Sequence, residues 1–107
     1  MEYGAVVEFI HLATFSRSAA ALFSEQEVFD LELALLFAPE AGALIPGGRG
    51  LRKLRRPLAG RGKSGGARVI YYHVSSDAII YLVFAYAKSS RDNLTPAQLR
   101  QLAALLP

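Results

Sequence analysis

Lys53, Lys63, Arg68, Tyr86 and Lys88 are the side chains of this sequence best equipped for acid–base and phosphate chemistry; the first three lie in one basic tract and the last two at the end of the next apolar run. From Gly50 to Tyr72 the chain reads GLRKLRRPLAGRGKSGGARVIYY and holds seven of the twelve Lys and Arg residues: Arg52, Lys53, Arg55, Arg56, Arg61, Lys63 and Arg68. Arg49 stands just outside it, and no Asp or Glu occurs between Ala41 and Ser76. Cations crowded without acids repel one another until an anion binds, so the tract is read as a surface for nucleic acid or for an acidic protein segment. Arginine matches a phosphate with two parallel hydrogen bonds, whereas lysine among other cations yields its proton more readily. The arginines are therefore the expected clamps, and Lys53 and Lys63 the expected proton-transfer groups. Tyr86, Lys88 and Arg91 follow an apolar run, with Tyr86 and Lys88 on one face of an extended strand.

Other patterns are weaker. Gly62-Lys63-Ser64 imitates the end of a nucleotide-binding phosphate loop, but the position of the first glycine is Pro57, and two glycines and a β-prone run follow where a helix is required. His11 and His73 each sit in an apolar run with no neighbouring His or carboxylate, which suits structural histidines better than general bases. Tyr71, Tyr72 and Tyr81 fall inside β-prone runs, where packing accounts for them.

With 107 residues the chain is expected to form one domain over its whole length, 1–107. Hydrophobic residues make up 52% and the mean hydropathy is +0.26, rich enough in apolar groups that a protein partner is expected to cover part of the surface. The net charge of +3 conceals a split: residues 1–48 contain one Arg and seven acids, and residues 49–107 contain eleven bases and two acids. Without cysteine there is no disulfide, thiolate metal site or thiol nucleophile, and neither metal nor cofactor is expected. The most apolar run, Ala78 to Ala87, is too short for a membrane helix of ~20 residues, and the acidic N-terminus does not resemble a signal peptide. A cytoplasmic protein without membrane association is expected.

The elements that must position these residues alternate between strand and helix. Ala5 to His11 reads as a strand, and the alanine-rich segment after Thr14 as a short helix. Ser24-Glu25-Gln26-Glu27 is a capping box that opens a second helix. Val28, Leu31, Leu35 and Leu36 are expected on its inner face, under an acidic outer face. Ala41 to Gly50 is a connection. In Leu51 to Arg56, alternation puts Leu51, Lys53 and Arg55 on one face and Arg52, Leu54 and Arg56 on the other, as suits an edge or functional strand. Gly60 to Gly66 is the turn of a long hairpin, and Ala67 to Val74 and Ala78 to Ala87 are strands joined at Ser75-Ser76-Asp77. Thr95-Pro96-Ala97-Gln98 caps a terminal helix whose stripe is Leu99, Leu102, Leu105 and Leu106. The expected fold is a small α/β (α+β) domain, an antiparallel sheet with two N-terminal helices and a C-terminal helix packed on it.

The runs GLRKLR, GRGKSGGARVIYY, YLVFAYAK and DNLTPAQLRQL, in this order over roughly residues 48 to 106, resemble the RelE/ParE superfamily of bacterial toxins, particularly the HigB-type branch. The resemblance implies a toxin that cleaves mRNA in the ribosomal A site without a metal. It also implies a cognate antitoxin, in this branch a HigA-like protein with a helix-turn-helix domain. Carried over by position, Arg68 matches the phosphate-clamping arginine, and Tyr86 and Lys88 match the pair that stacks on or protonates the scissile nucleotide. Lys53, Arg55 and Lys63 match the preceding basic cluster, whose strict alternation Leu54 interrupts. Arg49, Arg52, Arg56, Arg61 and Arg91 remain as further RNA contacts. ParE-like gyrase inhibition without catalysis, or an inactive nucleic-acid-binding relative, is the alternative.

Overall fold

The computed structural model describes residues 7–58, 65–91 and 93–107. In chain order the elements are β1 (Glu8–His11), α1 (Ala13–Ala20), α2 (Glu25–Phe37), β2 (Ala43–Leu44), β3 (Arg52–Arg56), β4 (Ala67–Val74), β5 (Ile79–Ala87) and α3 (Pro96–Ala103). The five strands form one sheet in the order β1-β5-β4-β3-β2. Pairing is antiparallel from β2 through β5, whose strands follow one another through connections without a crossover helix, while β1 runs parallel to β5 because α1 and α2 carry the chain away before it returns. The β4–β5 turn is a 3-10 turn at Ser75–Asp77 that ends with Ala78 in the left-handed region, φ 54°.

The sequence signals place most boundaries. Both expected capping boxes form: Ser24 accepts from the Glu27 amide while the Glu27 carboxylate accepts from the Ser24 amide, and Thr95 and Gln98 repeat the exchange at α3. One element is new, since the Ala41–Gly50 connection contributes the two-residue strand β2, paired through Ala43 with Lys53 and Leu44 with Arg52.

The sheet separates two apolar layers. On one face Phe15 and Ala19 of α1 and Leu31 and Leu35 of α2 pack on Val69, Tyr71, Ile80, Leu82 and Ala85. On the other, Leu102 and Ala103 of α3 cover Ile70, Val83 and Tyr86 together with Leu51. β1 stops at His11, so beyond Leu82 the edge of β5 lacks a strand neighbour, and α1 satisfies it with side chains. The Thr14 hydroxyl donates to the Val83 carbonyl, and the Ser18 hydroxyl, one turn on, accepts from the Ala85 amide at 3.0 Å. The register of β4 against β5 shifts by one residue at this place, between Ile70 and Tyr71.

Two expectations about the helices need correction. Leu36 is not on the inner face of α2; it is exposed, as are Phe29, Leu33 and Phe37, so the outer face is apolar at its centre and acidic only along its flanks. Leu105 leaves the α3 stripe because the helix ends at Ala103, leaving it 47% exposed, while Leu106 stays packed on the α3 layer.

Candidate active site

Cross-strand register brings the expected site residues together. Arg55 of β3 pairs with Arg68 of β4, and Arg68 pairs with Tyr86 of β5, so the three form one row across three strands on the α3 side of the sheet. Lys53, two residues before Arg55, shares that face and pairs with Ile70 in the adjoining row. Like charges directly opposite one another destabilise a sheet. Arg55 against Arg68 is therefore a local cost that a bound anion would remove.

Each member is held differently. Arg68 is 6% exposed, and its Nη1 donates to the carbonyls of Gly65 at 2.9 Å and Ala67 at 3.2 Å. The guanidinium is thus tied to the end of the basic loop. Gly65 and Gly66 permit this: both have positive φ, 78° and 69°, and a Cβ on Gly66 would lie 2.4 Å from the Arg56 carbonyl oxygen. A Cβ on Gly65 would meet the Lys88 side chain at 2.8 Å, so the lysine stem lies across that glycine, and the Lys88 amide donates to the Gly66 carbonyl at 2.9 Å. Loop end, Arg68 and Lys88 form one packed unit. Tyr86 is buried, and the Arg91 guanidinium lies over its ring at 5.7 Å and over the Phe84 ring at 5.9 Å from the centroids.

Beside the row opens a pocket of about 630 Å³ between the β2–β3 connection and α3, with Lys53, Tyr86, Asn93 and Arg100 among its walls and Ile45, Pro46, Leu94 and Leu99 as apolar lining. The Lys53 ammonium donates to the Asn93 Oδ1 at 2.8 Å. Nucleotide-sized volume, apolar walls and cations from two sides make a chemistry suited to a base with its phosphate. Asn93 and Arg100 escaped sequence reasoning. Asn93 lies in the quoted run before α3, but nothing local indicates that it reaches a lysine forty residues away.

The remaining expected residues divide. Arg52 and Arg56 alternate onto the opposite face of the sheet, where Arg52 Nη1 donates to the carbonyls of Gly42 at 2.7 Å and Glu40 at 3.2 Å and so secures the α2–β2 connection. Arg49 stands exposed in turn 46–50 with φ 57°. Arg61 and Lys63 lie outside the described residues. His11 finds its carboxylate through space, with Nε2 2.6 Å from Glu32 Oε2, and joins β1 to α2 away from the row. Leu54, the interruption in the basic alternation, packs into the α1–α2 layer, which is why it is apolar. Among the described residues no three His, Cys, Asp or Glu side chains gather to hold a metal ion, and no helix is long and apolar enough to cross a membrane.

Residues 42–106 match the model of the family described as the RelE toxin of the RelE/RelB toxin–antitoxin system. The chain belongs to the RelE toxin family. The span runs from β2 through α3 and contains the whole row and pocket. In fold, the chain is similar to the E. coli RelBE toxin–antitoxin complex, with TM-score 0.57 and 14% identity over 77% of this chain and 96% of that one. It is also similar to an E. coli RelE toxin with two arginine-to-alanine substitutions in the free state, with TM-score 0.56 and 11% identity over 94% of this chain and 97% of that one. The RelE fold thus extends over β1, α1 and α2, where the sequence carried no motif of the family.

Proposed function

We propose that this RelE toxin is a metal-independent endoribonuclease that cleaves mRNA on the ribosome and thereby inhibits translation. The observation that carries the reading is the row Arg55–Arg68–Tyr86, two cations and a phenol aligned across three strands beside a nucleotide-sized pocket. Cleavage through the 2′-hydroxyl requires removal of its proton, stabilisation of charge on the pentavalent phosphorus and protonation of the departing 5′-oxygen. Lys53, at the pocket wall, takes the proton as the neutral amine, after releasing its own to solvent. Arg68, with Arg55 opposite, supplies fixed positive charge where the phosphate's charge grows, in a setting that needs little rearrangement. Tyr86 stacks on the nucleotide or donates to the leaving oxygen, Lys88 adds positive charge at the loop side, and Lys63 is a further cation of the basic tract.

The toxin acts in the cytoplasm as one unit over residues 1–107 and is held inactive by a cognate antitoxin. A partner of this kind is supported by the RelBE complex among the similar structures and by the apolar surface left open here. A HigA-like antitoxin with a helix-turn-helix domain follows from the resemblance to the HigB-type branch. The ribosome supplies substrate alignment, since a few cationic groups gain most from imposed geometry. Induction of the toxin alone, followed by primer extension on cellular mRNA, tests the reading: discrete new 5′-ends within translated regions are expected, with intact rRNA. Growth arrest with intact mRNA would instead identify the gyrase-inhibiting alternative.

A further inference from the structure

The row and pocket leave α2 unused, and α2 is anomalous. Its inner side is buried through Leu31 and Leu35, 1% and 0% exposed, yet Phe29, Leu33, Leu36 and Phe37 on the other side are 54%, 38%, 42% and 84% exposed. A helix apolar on both sides calls for a second cover. The steps from Phe29 to Leu33 to Leu36 are four and three residues, the alternation of a coiled-coil seam, and they span about 10 Å at ~1.5 Å per residue. The flanks of the seam are acidic: helical spacing puts Glu25 and Glu32 along one side and Asp30 along the other, and α2 contains neither Lys nor Arg.

We propose that the outer face of α2 seats an amphipathic helix with an apolar seam and basic flanks, carried by the antitoxin. Only the source of the helix rests on the function proposed above. Complementary charge selects the occupant. A second copy of α2 would set Glu25, Asp30 and Glu32 against themselves, whereas lysines or arginines flanking a leucine seam would pair with Glu25 and Asp30 and with the Glu32 oxygen that His11 leaves open. The seat lies beyond the α1–α2 layer, on the far side of the sheet from Lys53, Arg55 and Tyr86, so its occupation leaves the basic row uncovered.

The test uses the whole chain and a labelled peptide of four heptads with leucine at both seam positions and lysine at both flanking positions, which cannot pair with itself. Its counterpart carries glutamate at the flanks. Fluorescence anisotropy is expected to show binding of the lysine peptide at least tenfold tighter than the glutamate peptide. The Phe29→Glu/Leu33→Glu variant, its fold checked by circular dichroism, is expected to lose tenfold or more, while Lys53→Ala/Arg55→Ala keeps most of the affinity. Equal binding of the two peptides, or full binding by the α2 variant, would overturn the proposal. So would a wild-type dimer on size exclusion that the α2 variant abolishes, because a second copy would then be the cover. Cleavage is read separately: an active toxin that ignores the lysine peptide sinks this inference alone, and an inactive one that binds it sinks only the catalytic reading.

Discussion

Arg68 and Tyr86 are direct cross-strand partners, and the arginine is anchored to the glycine-rich loop while the tyrosine is the one beneath Arg91. Two side chains that lie apart in sequence are thereby fixed at one end of the two longest strands of the sheet. Fixed geometry of this kind suits charge stabilisation, because nothing has to move as the transition state forms.

The two residues should fail differently when replaced. Arg68→Ala is expected to lower cleavage by roughly 2.7 to 4 kcal/mol of transition-state stabilisation, the range for a single preorganised donor. It should also lower the melting temperature, since the hydrogen bonds to Gly65 and Ala67 vanish. Arg68→Lys should rescue poorly if planar, two-pronged contact matters. Tyr86→Phe keeps the ring against Arg91 and should spare ribosome binding while slowing cleavage. Single-turnover rates paired with ribosome binding and thermal denaturation distinguish these outcomes.

Tyr71 gives a stability prediction independent of function. Its hydroxyl donates to the Pro39 carbonyl at 2.8 Å and accepts from the Gly42 amide at 2.9 Å, pinning the α2–β2 connection from the core. Tyr71→Phe strands both backbone groups and is expected to cost about 1 to 3 kcal/mol in urea denaturation. Burial pushes this phenol above its usual pKa, against the opposing pull of the Gly42 hydrogen bond and Arg52. A raised folded-state value means that this contribution is whole below pH ~10 and is lost as pH rises through the folded value. Tyr71→Phe should flatten that alkaline fall.

Ser18 tests how the sheet edge beyond β1 is closed. Ser18→Ala removes the acceptor for the Ala85 amide and should destabilise by about 1 to 3 kcal/mol. Hydrogen exchange at Ala85 is expected to accelerate more than at Ile80, whose strand neighbour is β1.

What could be read in the sequence was whatever depends on neighbours a few residues apart. The capping boxes at Ser24 and Thr95, the alternation that separates Lys53 from Arg52, and the β-prone runs before and after Ser75-Ser76-Asp77 are local signals, and all recur in the structure. The basic row was legible as a set of residues but not as a row, because the pairing of Arg55 with Arg68, and of Arg68 with Tyr86, depends on register across two hairpins. Arg52 resembled its neighbours in charge, yet its carbonyl partners lie ten and twelve residues back in a connection without motif. The same distance hid Asn93 behind Lys53 and Glu32 behind His11. Leu36 misled for another reason: apolar residues occupy both sides of α2, so periodicity alone could not tell which side faces inward.

Single-turnover cleavage of a defined mRNA, on programmed ribosomes and as naked RNA, with wild type, Arg68→Ala and Tyr86→Phe side by side, probes the central claim most directly. Discrete cleavage is expected on ribosomes and little on naked RNA, with Arg68→Ala slowed by roughly 10²- to 10³-fold. Wild-type rates from Arg68→Ala while Lys53→Ala abolishes cleavage would put the site elsewhere on the sheet, and no ribosomal cleavage by the wild type would contradict the endoribonuclease reading altogether.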